Sequence, residues 1–154
     1  MNPKSAHNLV QIPLYLIALA AMGLGLSWVF SAEPWLRDQQ ANEALLGVDF
    51  HSLFQAAVNR NLPDYLRLSY RFFGWWMFSI GLLIGGFVQV TRMGTRLARV
   101  TLHTILLIML SGIYRIEFIY ISGSPFTFLT HGLLLLVLIS IAGSILLGRS
   151  DTGQ

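Results

Sequence analysis

The chain has 154 residues, of which 55% are apolar and only 11% charged. A soluble domain of this size carries about a quarter charged residues, so this composition cannot cover a water-exposed surface and points to an integral membrane protein. The net charge of +3 does not imply nucleic acid: the nine Arg and single Lys sit at the ends of apolar runs. With no cysteine, disulfides, thiolate metal sites and cysteine nucleophiles are excluded.

Four apolar runs follow one another. The first, Leu9 to Phe30, contains no charge between Lys4 and Glu33. It exceeds the 7–15 residues typical of a signal-peptide core, so it is expected to be a retained helix. The second, Phe72 to Thr91, is bounded by Arg71 and Arg92. Its helix is expected to start earlier, with Asn61 as cap, Pro63 in the first turn and Asp64 complementing the dipole. The third is Val100 to Ile121, and the fourth is Phe126 to Leu147, after Pro125. A spanning helix needs roughly 20 apolar residues. The expected fold is therefore all-α: a single 154-residue domain, residues 1–154, forming an integral membrane four-helix bundle. Its helices cover about 9–30, 62–91, 100–121 and 126–147.

Between the first two helices lies a loop, residues 31–61. Within it, Asp49 to Arg60 has the period of a short amphipathic helix, with Phe50, Leu53, Phe54, Ala57 and Val58 on one side. This helix is expected either on the membrane surface or against the bundle end. The loop side gathers Glu33, Asp38, Glu43, Asp49 and Asp64 against Arg37, Arg60, Arg67 and Arg71. The opposite side carries Lys4, Arg92, Arg96, Arg99 and Arg149 against Asp151. The positive-inside rule then places both termini in the cytoplasm and the loop outside, in the cytoplasmic (inner) membrane of a bacterium. Arg92, Arg96 and Arg99 would share a face if helical, and are expected to meet anionic lipid headgroups.

Membrane helices associate through small residues. Gly81, Gly85 and Gly86 form such a stripe in the second helix, with Gly74 one heptad earlier. Gly23 and Gly25 serve the first, and Ala142, Gly143 and Ser144 the fourth. Packing within one bundle is the simplest use of them. A membrane-protein partner or a second copy of the chain is the alternative.

Arg115 and Glu117 interrupt the third run. Counting from Arg99, Arg115 lies about 24 Å along a helix, in the outer third of a hydrocarbon layer about 30 Å thick. Positions two apart diverge by about 200°, so the pair cannot face one neighbour. Across the Ser122-Gly-Ser-Pro125 turn, His131 falls at similar depth, with Thr127 and Thr130 nearby, and the second helix brings Arg71. The expected binding layer is Arg115, Glu117, His131 and Arg71. Arg71 is a candidate partner for Glu117, and His131 a candidate acceptor for Arg115.

Catalytic patterns are missing. No phosphate loop, nucleophile elbow or HExxH is present. His103 and His131 fall at opposite ends of their helices, and His7 and His51 lie outside the apolar runs, so no metal and no cofactor are expected.

Arg71-Phe-Phe-Gly74, Gly81, the basic loop, Gly112-Ile-Tyr-Arg115 and Gly123-Ser-Pro125 together resemble a bacterial family of four-helix membrane proteins, the domain of unknown function 4345 family. The resemblance runs from about residue 10 to 148. It implies the bundle but no activity. The family often has an acidic residue early in its last helix, where this chain has His131. The expected function is a non-catalytic accessory or scaffold subunit of a membrane complex, not an enzyme. The second reading is a lipid or small-anion binding or transport protein with an outer-leaflet polar pocket.

Overall fold

The computed structural model describes residues 3–121 and 123–151, and among these the chain is helical without strands. The long helices are α1 (Pro3–Phe30), α4 (Leu62–Thr91), α5 (Arg96–Tyr120) and α6 (Phe126–Asp151); α2 (Gln39–Leu46) and α3 (Phe50–Gln55) lie in the long loop. Four helices are long and apolar enough to cross a membrane. Each of the four reaches further or ends earlier than the hydropathy runs by a few residues. α5 starts at Arg96 because Thr95 caps it, its Oγ1 accepting from the Ala98 amide at 3.1 Å. Asn61 does not cap as expected. Its side chain makes no cap bond, while its carbonyl accepts from the Tyr65 amide and Asp64 instead pairs with Arg67 at 2.8 Å.

α1 is the central packing element, against α4 on one side and α6 on another, while α5 leans on α6. Glycine makes these approaches possible. A methyl placed on Gly25 would lie 2.5 Å from the Gly74 carbonyl oxygen, and one on Gly143 would lie 2.9 Å from the Leu9 backbone. These small residues are thus consumed inside the bundle. The core at the termini-bearing end holds Val10, Leu14, Val88, Met93, Leu102 and Val137. α4 and α5, although consecutive, pack only loosely against each other.

The α4–α5 hairpin turns through two left-handed non-glycine residues, Arg92 (φ 48°) and Met93 (φ 52°). Each such residue costs roughly 1–2 kcal/mol, so the surroundings must impose the turn. They do: the Met93 side chain is wholly buried, its amide donates to Thr91 Oγ1 at 3.2 Å, and Arg99 Nη1 donates to the Met93 and Gly94 carbonyls at 3.0 and 3.1 Å. Arg92, Arg96 and Arg99 therefore do not share a face. Arg92 and Arg96 are exposed, whereas Arg99 is buried.

The long loop builds its own small core on the bundle end. Trp35 and Phe50 are buried, and Phe54 packs against both rings at centroid distances of 5.5 Å. Asp49 caps α3 by accepting from the Ser52 amide at 2.8 Å. The expected 49–60 helix stops early, at Ala56, where the backbone turns extended (ψ 127°). Val58 is consequently left 91% exposed, and no continuous apolar face forms. Arg37 donates to the Ser27 carbonyl (3.4 Å), and three shorter ties among the described residues hold the loop down. Asn42 reaches the Tyr70 hydroxyl (3.3 Å), Arg67 donates to the Ala32 carbonyl (2.9 Å), and buried Ser124 donates to buried Asp38 (2.7 Å).

Candidate functional site

The four expected site residues separate into one inside the bundle and three outside. Glu117 is buried, 5% exposed, and its Oε1 accepts a 2.6 Å hydrogen bond from Thr130 Oγ1 on α6. Its other oxygen, Oε2, is buried with no partner among the described residues. Arg115, two positions earlier, is exposed on the opposite side of α5, as the helical angle requires. Arg71 is exposed on α4. His131 is also exposed; its Nδ1 donates to the Thr127 carbonyl at 2.6 Å on its own helix, and its ring meets Tyr114 edge-on.

The expected pairings do not form. Glu117 takes Thr130 rather than Arg71, and His131 takes its own helix and Tyr114 rather than Arg115. The reason is facial. Arg71 and Arg115 both project from the bundle, where a long side chain reaches headgroups at little cost. Ser122, in the expected turn, lies outside the described residues. Its neighbour Ser124 is buried and carries the loop tie.

Glu117 and Thr130 close one end of a cavity of about 260 Å³ between the four long helices. The remaining wall is almost entirely apolar, with Ile17, Leu24, Ile80, Met109, Ile113 and Leu133 among its residues. Along α5 the lining runs from Leu106 to Glu117. That is about 16 Å at 1.5 Å per residue, half the thickness of a hydrocarbon layer. Met77, Ile80 and Ile84 of α4 face Met109, Ile113 and Ile116 of α5 on the loosely packed side. Trp28 stands at the Glu117 end, ringed by Tyr70 and Phe126, and its indole N–H is buried without a partner.

The site thus offers an apolar tube one leaflet long, with a free carboxyl oxygen and a free indole N–H near one end. The apolar lining suits an apolar occupant. A carboxyl lining also disfavours an anion there. Among the described residues no cluster of three or more His, Asp or Glu side chains is placed to hold a metal ion. Thr130 was visible in the sequence only as part of a polar layer, and nothing in its spacing marked it as facing inward.

No family model, no curated protein and no solved structure matches this chain.

Proposed function

We propose that this chain is a multi-pass membrane protein that binds a single-chain amphiphile in its central cavity, tail along α5 and head at Glu117. The observation that carries this reading is Glu117 itself: a carboxyl buried at the end of an apolar cavity, with one oxygen satisfied by Thr130 and the other open. Leaving a buried carboxyl oxygen without complement is costly, and an intramembrane carboxyl so half-satisfied is best explained by a ligand. The open oxygen calls for a donor, so the head is an amine or a hydroxyl. A hydroxyl head would also give the Trp28 indole N–H an acceptor, which an ammonium head cannot. The loose α4–α5 side gives lateral entry from the bilayer.

We further propose that both termini are cytoplasmic, on the arginine asymmetry, which sets the Glu117 end in the outer leaflet of a bacterial cytoplasmic membrane. Membership of the four-helix family named above stays part of the proposal, on Gly112-Ile-Tyr-Arg115 and the associated motifs. A scaffold role draws no comparable support, because Gly25, Gly74, Gly81 and Gly143 are occupied within the bundle. The reading is of a binding protein, not an enzyme.

Trp28 provides the test. In a variant with Trp35, Trp75 and Trp76 changed to Phe, brominated alkyl chains bearing an amine, a hydroxyl or a carboxylate are titrated against Trp28 fluorescence. Saturable quenching by the amine or the alcohol, weakened at least tenfold by Glu117→Leu, is expected. The stronger of the two names the head. Equal quenching by the carboxylate, or by all three in Glu117→Leu, would overturn the reading.

A further inference from the structure

We infer a second, separate site at the termini-bearing end: a cleft between α5 and α6 that holds the phosphodiester headgroup of an anionic lipid. Arg99 carries the inference. It is 4% exposed, yet its partners are all neutral: the Met93 and Gly94 carbonyls and, from Nε at 3.0 Å, Ser144 Oγ. No carboxylate of the described residues lies within ion-pair distance of it; the Arg67–Asp64 ion pair belongs to the other end. A guanidinium that is buried and hydrogen-bonded but not neutralised by these residues calls for a counter-charge.

An opening lies beside it. A cleft of about 590 Å³ is bounded by Arg96, Arg99, His103, Thr104, Ser144 and Arg149, and among the described residues no acidic one lines it. The α5 N-terminus adds the positive end of its dipole next to Arg96. His103 is set in one tautomer by a relay across three helices. Ser140 Oγ spends its single proton on the Val10 carbonyl at 2.9 Å, so it must accept from His103 Nε2 at 2.8 Å. The imidazole Nδ1 is then an acceptor, suited to a hydroxyl on the headgroup.

The occupant is a lipid rather than free phosphate because the cleft is amphiphilic along its length. Arg96 and Arg149 stand at the mouth and Arg99 one turn in. Ser144 and Ile145 stand level with Arg99, then His103, Thr104 and Ile141 follow, and Leu107 continues towards the bilayer centre. Val100 and Ile145 are more than half exposed, so this wall opens sideways to acyl chains.

The test uses the whole chain, reconstituted in phosphatidylcholine bilayers containing phosphatidylglycerol and released into mild detergent for native mass spectrometry. Retention of phosphatidylglycerol at least tenfold above its bulk ratio to phosphatidylcholine is expected. Arg99 holds the hairpin, so its variants risk misfolding; Thr104→Trp, which fills the cleft from its edge, and Arg96→Gln serve instead. Each is expected to lower retention, Thr104→Trp by at least tenfold, while Glu117→Leu leaves it unchanged. Equal retention of the two lipids, or full retention in Thr104→Trp, would overturn the site. Loss in Glu117→Leu would assign the lipid to the central cavity and overturn it too. Displacement by millimolar inorganic phosphate would make it a free-anion site and overturn the lipid assignment.

Discussion

Replacing Thr130 by Val removes the one hydrogen bond that the Glu117 carboxyl makes inside the bundle. The Thr130 proton is shared with the Phe126 carbonyl at 3.2 Å, but the 2.6 Å geometry gives most of it to Glu117. Valine keeps the shape, so little packing changes. Inter-helix hydrogen bonds in membranes are worth about 0.6 kcal/mol on average. Leaving a buried acceptor with no partner costs about 1–3 kcal/mol, and here both carboxyl oxygens would then be open. Thr130→Val is therefore expected to lose about 1–3 kcal/mol. At about 2–4 °C per kcal/mol for a chain of this size, that lowers the midpoint of thermal unfolding in mild detergent by several degrees. The double variant Glu117→Leu, Thr130→Val replaces the whole pair by apolar groups facing an apolar cavity. It is expected to recover at least wild-type stability, since removing a buried polar pair is often neutral or stabilising by about 1–4 kcal/mol. It should also lose amphiphile binding. A double variant as unstable as Thr130→Val would mean the pair is kept for the fold, and would refute the argument that it is kept for a ligand.

Other positions give sharper local expectations. Gly74→Ala puts a methyl 2.7 Å from the Gly25 carbonyl oxygen and should cost about 1–3 kcal/mol, whereas Gly86→Ala, which meets nothing within 4 Å, should be neutral or slightly stabilising by thermal unfolding. The Ser52 amide holds the Asp49 carboxyl below its ordinary value of 3.8. With the folded value lowered, the cap is fully present above the unfolded pKa and is lost as pH falls through the folded one. Amide exchange over residues 50–55 should therefore accelerate below about pH 4 in the wild type, and in Asp49→Ala should be fast and pH-independent apart from intrinsic chemistry. Arg115→Met should leave both unfolding midpoint and Trp28 quenching unchanged, because the side chain is exposed and contacts neither cavity nor Glu117; a tenfold loss of quenching would restore Arg115 to the site.

The four long helices follow from hydropathy because apolar length is a one-dimensional property. What one dimension could not assign was facing. Arg115 stood out in the sequence as the deeper charge, yet depth along a helix says nothing about azimuth, and α6 packs on the face that carries Glu117. The i, i+2 angle did show that the two residues must diverge; only the neighbour on each side was missing. The loop was harder for another reason. α2 and the Pro34–Asp38 turn owe their place to Asn42, Tyr70, Asp38 and Ser124, contacts between positions up to 86 apart. Arg99 was misread as a surface charge because two of its partners are backbone carbonyls, which any sequence supplies, and the third, Ser144, lies 45 positions away.

Arg99 and Glu117, two of the buried ionisable groups, lie on one helix, 18 positions or about 27 Å apart. They are of opposite sign and too far apart to neutralise each other. Each has its neutral hydrogen bonds from α6, through Ser144 and Thr130, and each borders an opening rather than packed core. Had charge been retained for cohesion, the economical arrangement would bring the two together or replace them by leucine. Keeping them apart, one at each edge of the hydrocarbon, makes sense when each faces a molecule of the opposite polarity: a donor head at Glu117 and a phosphodiester at Arg99. Because the sites share no residue, their losses should be separable. Glu117→Leu should abolish amphiphile quenching without releasing phosphatidylglycerol, and Arg96→Gln should lower phosphatidylglycerol retention without changing Trp28 quenching. Release of phosphatidylglycerol by Glu117→Leu would place that lipid in the central cavity and leave no separate site at Arg99.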